Sequence, residues 1–167
     1  MNPNILILAT GGTFDKLYDE LQGELTFRDS HLSEIMDIVR CTVPYTLEFL
    51  PLKDSLSMDD RDRTAILDAC RSCSYRQIII IHGTDTMEIT ARVIGKALLD
   101  KTIILTGAMI PYTISNSDAI FNLGTAISSV QSYDSGVYIC MNGRTFPWDT
   151  VHKNHKKGVF ESTSRDI

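Results

Sequence analysis

The sequence has little of what marks the specialised protein classes. It is not rich in cysteine: four are present, Cys41, Cys70, Cys73 and Cys140. "CRSC" (residues 70–73) has the spacing of a redox or zinc pair, but it lies in a helical-looking stretch. No second pair completes a site, so reduced, structural cysteines in a cytoplasmic protein are expected. Long apolar runs are missing. The first apolar stretch, residues 5–9, has strand length, and nothing approaches the roughly 20 residues that span a bilayer. No leader or membrane partner is therefore expected. An excess of positive charge is also missing: the net charge of -5 gives no field to steer a nucleic acid or an anionic membrane. "HKNHKK" (residues 152–157) is a local exception, short enough that a solvated face is its default reading. There is no repeat, low-complexity tract or linker. One domain covering residues 1–167 is expected, long enough to bury a core without staples.

What is present is ordinary in bulk and informative in order. Apolar residues make up 43% and charged residues 22%, as in a globular protein. Five short apolar runs recur: "NILILAT", "TLEFLPL", "RQIIIIHG", "KTIILTG" and "SGVYICMN". Ile78 to Ile81 and Ile103 to Leu105 are continuous rather than alternating, the pattern of strands buried on both faces. Amphipathic segments separate most of the runs. "SHLSEIMDIVRC" spaces Leu32, Ile35, Met36 and Val39 helically behind a Ser30 cap, and "SMDDRDRTAILDACRSC" starts at a Ser57 cap with acids in its first turn. "TMEITARVIGKALLD" and "SDAIFNLGTAISSVQSY" follow the third and fourth strands, with Asn116 and Asp118 placed to cap the latter or to face a cleft. The alternation predicts an α/β three-layer sandwich, a mainly parallel sheet flanked by helices in the manner of Rossmann- and flavodoxin-like domains. "FDKLYDELQGELTF" reads as a loop or short hairpin over the sheet edge.

Ligands of open parallel sheets gather at the carboxyl ends of the strands. Four of the five runs end there in small polar loops: "TGGT" (10–13), "KDSLSM" (53–58), "HGTDT" (82–86) and "TGAM" (106–109). Any one of these is ordinary turn chemistry; their convergence on one edge points to a site. Glycines let backbone N–H groups approach an anion or oxyanion. "TGGT" fits neither G-x-G-x-x-G nor G-x-x-x-x-G-K-[ST], so a nucleotide site ranks last. A threonine hydroxyl becomes a nucleophile when a neighbouring base takes its proton. A lysine oriented by an aspartate supplies such a base, a variation on triad logic. His82 reads as a loop-positioning residue and Trp148 as a packing anchor, and His152 and His155 lack metal-ligand spacing.

"ILATGGT", "HGTDTMEITA" and "LTGAMIP" together resemble the amino-terminal domain of bacterial-type L-asparaginases, from Ile5 to about Phe160. The helix after "HGTDT" also carries the family's Glu88 and Thr90. The resemblance implies an amidohydrolase without metal or organic cofactor. It assigns Thr13 as the nucleophile, Thr84 and Asp85 as members of a Thr-Lys-Asp set, and Lys153 as its lysine. Ser55 matches the serine that binds the substrate's α-carboxylate, and Gly12, Asp54 and Gly83 fall among the substrate-binding positions. Two departures stand out. The family continues into a second domain that binds the substrate's amino end. It also reads "TGGTIA" where this chain has "TGGTFDK". Tyr18 is then either the family's lid tyrosine on a shortened loop or a surface aromatic. Asp15 acts on Thr13 or replaces a group of the second domain, and Lys16 changes the local field.

Two readings follow from different classes. One is an asparaginase-type hydrolase of L-asparagine or a similar side-chain amide. The other is a non-catalytic domain that binds an amino acid. A homodimer or homotetramer is expected, because a cleft at the strand ends would otherwise lie open to water.

Overall fold

A computed structural model describes residues 4–28 and 30–163. The unbroken apolar runs form the middle of a sheet covered on both sides. Strands β1 (Ile5–Gly11), β4 (Tyr45–Lys53), β5 (Gln77–Ile81), β6 (Thr102–Thr106) and β7 (Gly136–Met141) are parallel, and β8 (Arg144–Pro147) adds an antiparallel edge in the order β4-β1-β5-β6-β7-β8. Successive side chains of a strand face opposite ways. Ile78 and Ile80 accordingly enter one apolar layer with Leu6, Leu8, Ile103 and Leu105, while Ile79 and Ile81 enter the other with Ile5, Ile7 and Ile104. Each run is apolar at every position because each layer has its own helices. Helices α2 (Asp60–Ser72) and α3 (Met87–Gly95) cover the first layer through Ile66, Cys70, Met87, Ala91 and Ile94. Helices α1 (Leu32–Ile38) and α4 (Ala119–Ser132) cover the second through Leu32, Ile35, Met36, Leu123, Ala126 and Val130. The predicted three-layer α/β sandwich is the observed architecture.

Helix starts differ from the sequence reading. The N-cap of α1 is His31, and Ser30 instead accepts the Leu32 N–H and donates to Asp15. Helix α2 is capped by Asp59, not Ser57: its carboxylate accepts from Arg61 and Asp62 N–H groups, and Asp62 reaches back to the Asp59 N–H. A carboxylate at this position satisfies orphan donors and suits the helix dipole. Ser57 lies just before it, in a short 3₁₀ turn over Ser55–Ser57. Two antiparallel hairpins flank the sheet, β2 (Lys16–Asp19) with β3 (Glu24–Phe27) and β9 (Val151–Asn154) with β10 (Val159–Ser162). The first is the loop or hairpin that the sequence predicts. The second has no counterpart in the sequence pattern, because its strands have only four residues each and carry few apolar positions. Trp148 packs half-buried against the first apolar layer, as a packing anchor would.

Two features of the topology aim residues at one end of the sheet. The chain leaves β1 for β4 on one side and returns past it to β5 on the other, so the carboxyl ends of β1 and β5 form a switch point. Along β4 the pairing with β1 is irregular: Ala9 faces Phe49, but Gly11 faces Lys53. A short step along β1 thus spans a longer one on β4, and the bulge contains Pro51, which has no N–H to offer a ladder. The crossover through α4 has the opposite hand to the others. It moves in the same direction as the α3 crossover but lies on the other face. Parallel crossovers overwhelmingly share one hand, so α4 is held by specific bonds. Asn122 donates to the Gly107 carbonyl and accepts from the Asn142 N–H, while Asp118 accepts from the Met109 and Ile110 N–H groups. Asp118 therefore secures the "TGAM" loop rather than facing a cleft.

Ile80 is fully buried between β1 and β6. Ile80→Ala is expected to lower unfolding free energy by about 2–5 kcal/mol, and Asp59→Ala by about 1 kcal/mol through loss of the cap. Urea denaturation followed by circular dichroism measures both.

Candidate active site

The site is built on contacts between backbones at the switch point. Gly12 has φ 83°, and a Cβ there would overlap the Gly83 nitrogen. A Cβ on Gly83 would lie 2.6 Å from both Cβ and Oγ of Ser55. Gly12 donates its N–H to the Lys53 carbonyl at 3.0 Å. The "TGGT", "KDSLSM" and "HGTDT" loops thus touch at positions where no side chain fits. Thr13 follows Gly12 as Thr84 follows Gly83, so the two threonines flank one glycine–glycine contact.

Lys153 reaches this point from β9. Its Nζ donates to Thr84 Oγ1 at 2.8 Å and to Asp85 Oδ1 at 2.6 Å. The Lys153 side chain is only 6% exposed, against 38% for Asp85. The basic cluster is therefore not simply a solvated face, because pairing with β10 turns this member inward. The Lys153 N–H donates to Glu88 Oε2 at 3.2 Å, which ties the hairpin to the first turn of α3. Asn142 adds a second tie by accepting the Phe160 N–H at 2.9 Å.

A buried layer supports the loops. His82 is fully buried: Nδ1 pairs with the Gly83 carbonyl and Nε2 with Thr90 Oγ1, both at 2.8 Å. Burial pushes the His82 pKa down to about 4, so the imidazole is neutral and holds the loop, as its place at a strand end suggested. Arg63 is a supporting residue that sequence reasoning missed. It donates to the Met58 carbonyl at 3.0 Å and to Thr86 Oγ1 at 3.2 Å, and Thr86 Oγ1 donates to the Ser55 carbonyl at 2.9 Å. The available signal was its helical register with Ile66 and Cys70, which puts a charge on the buried face.

The remaining candidates lie apart from that cluster or are otherwise engaged. Tyr18, on β2, is 64% exposed. Asp15 is buried and turned toward α1, accepting from Ser30 Oγ and the His31 N–H. Desolvation lifts its carboxyl above the usual range, against those hydrogen bonds. Asp54 accepts the Leu56 N–H with one oxygen and pairs with Lys16 through the other. The hydrogen bond from Lys16 holds the Asp54 carboxyl below its ordinary value. His152 lies 3.8 Å from Glu161. Cys70 is buried and its thiol pushed up to about 12, so it stays protonated. Among the described residues, no group of three or more His, Cys, Asp or Glu could hold a metal, and no helix is long and apolar enough to cross a membrane.

The structure thus defines a class by its architecture: doubly wound α/β domains with a threonine–lysine–aspartate set at the switch point of the sheet. Comparison with known proteins narrows that class. The chain matches the family described as "Asparaginase, N-terminal" over residues 4–165. It is 29% identical over 161 residues to an L-asparaginase of Thermococcus kodakarensis, across 93% of this chain and 49% of that protein. It is also 30% identical over 167 residues to L-asparaginase 1 of Escherichia coli, across 93% of this chain and 48% of the other. The solved thermostable L-asparaginase of T. kodakarensis superposes with a TM-score of 0.84 at 28% identity, covering 95% of this chain and 51% of that one. The chain belongs to the asparaginase family, as a match to its amino-terminal domain. It spans about half the length of the curated asparaginases it matches.

The histidine supplies a test of the supporting layer. The unfolded state takes up a proton near pH 6.5 and the folded state only near 4, so stability is full above the first value and falls as pH drops toward the second. Between about pH 7 and about pH 5 the wild type is expected to lose on the order of 2 kcal/mol more stability than His82→Gln. Urea melts at the two pH values measure the difference.

Proposed function

We propose that the chain is an asparaginase-type amidohydrolase, acting on L-asparagine or a similar side-chain amide to give the acid and ammonia. One observation carries the reading: the buried Lys153 ammonium bridges Thr84 and Asp85 beside the loop that presents Thr13. Thr13 Oγ attacks the amide carbon and forms an ester. The C–N bond breaks, and the nitrogen leaves as ammonia with the proton given up by the threonine. Water then attacks the ester carbon, releases the acid and restores the Thr13 hydroxyl. Lys153, oriented by Asp85, relays protons through Thr84 to and from the attacking group. Backbone N–H groups of the glycine loops lie beside the carbonyl oxygen as it gains charge, where such donors contribute about 10²–10³-fold. Ser55 and the Gly12–Gly83 contact hold the ligand's carboxylate end.

An amino-acid-binding domain without turnover is the second reading, favoured by the outward position of Tyr18 on β2. We also take the working form to be a homodimer or homotetramer that closes the cleft, in the cytoplasm, where four free thiols stay reduced.

Ammonia release from L-asparagine by purified protein tests the first reading. Lys153→Met is expected to slow turnover by about 10²–10⁴-fold, and Thr13→Ala and Thr84→Val at least as much. Wild-type turnover no faster than these variants, together with an asparagine-dependent rise in melting temperature, selects the binding reading. Light scattering is expected to give a mass of two or four chains; the mass of one chain removes the oligomer.

A further inference from the structure

The loop bearing Thr13 is fastened on its far side by a residue outside the threonine–lysine–aspartate set. Thr13–Asp15 forms a single 3₁₀ turn, and the Lys16 N–H that ends it donates to the Thr13 carbonyl. The Lys16 side chain then crosses to the next loop, where Nζ lies 2.5 Å from Asp54 Oδ2. Asp54 is the N-cap of the turn that carries Ser55, and its other oxygen accepts the Leu56 N–H. One ion pair therefore joins the turn that begins at Thr13 to the turn that presents Ser55.

Isolated surface ion pairs contribute little, about 0–1 kcal/mol. This one differs in setting. Lys16 is 16% exposed and Asp54 37%. The ammonium also sits 5.7 Å from the centre of the Phe27 ring on β3, which favours the cation in place. Within the turn itself, Phe14 is fully buried and Asp15 accepts from Ser30 Oγ and the His31 N–H; where the hairpin leaves the turn, Thr113 Oγ1 donates to the Lys16 carbonyl at 3.3 Å.

We propose that Lys16 is a positioning residue for Thr13: its pair with Asp54 clasps the hairpin β2–β3 to the Ser55 turn and keeps the threonine hydroxyl at the switch point. Its catalytic consequence rests on the amidohydrolase reading; the clasp itself does not. Loops that must be in place for chemistry lower kcat when their closed population falls. Ser55 keeps its own bonds to Thr86 when Lys16 is changed, because neither involves the ammonium.

The test compares Lys16→Met, Lys16→Arg and, as a control on the same hairpin, Arg28→Met, which removes the exposed pair with Asp19. Hydrogen exchange of amides 17–27 and asparagine kinetics are read on each. Lys16→Met is expected to speed exchange by about tenfold and to lower kcat by about tenfold with KM changed less than about twofold. Lys16→Arg is expected to restore both, and Arg28→Met to leave kcat unchanged. Exchange unaltered in Lys16→Met overturns the proposal. So does kcat unaltered while exchange quickens, or an equal loss of kcat in Arg28→Met. If the wild type releases no ammonia, the amidohydrolase reading fails by itself. The exchange of Lys16→Met against Lys16→Arg and Arg28→Met then decides on the clasp alone.

Discussion

The architecture depends on the approach of two bare backbones, Gly12 at the end of β1 and Gly83 at the end of β5. A methyl group on the first would overlap the amide nitrogen of the second. On the second it would overlap Ser55. Because neighbouring parallel strands lie a fixed distance apart, their ends can converge only if side chains are absent there. The two glycines remove that obstacle. Three loops then share one small volume, with a hydroxyl-bearing residue on each.

A rigid platform underlies this contact. The paired strands are apolar on both faces, so a slip in register would misplace both layers together. That stiffness is passed outward by buried polar groups, not by the loops themselves. His82 fixes the turn it introduces, and Arg63 links the Met58 carbonyl to Thr86. The lysine arrives by a different route, from a hairpin outside the main sheet that is tied by Glu88 and Asn142. Val151 and Phe160 of that hairpin are buried in the first apolar layer, so both halves of the candidate chemistry rest on the core.

Much of this was legible in the residues, for reasons that differ by region. Ile78 to Ile81 could hardly be anything but a strand covered on both sides, and the loops after each strand followed from sheet geometry. The caps were harder: Ser57 and Asp59 are equally good oxygen acceptors, and only the reciprocal reach of Asp62 selects the latter. Lys153 had no local signal. "HKNHKK" looks like surface charge, and the inward turn of one lysine depends on a carboxylate 65 residues earlier; only the family resemblance singled it out. Asp15 and Lys16 are adjacent charges beside Thr13, yet they point to different partners, one toward α1 and the other to Asp54. Local sequence carries periodicity well and the direction of a single side chain poorly.

The bulge of β4 has a further consequence. This strand closes one side of the sheet and leaves a row of amides and carbonyls facing outward, the template on which aggregation begins. Pro51 interrupts that row where the strand bends toward the glycine loops. A foreign strand adding to this border would find no donor at Pro51 and a break in straightness just before Lys53. The irregularity that leads the chain to Ser55 thus also makes this edge a poor template for a further strand.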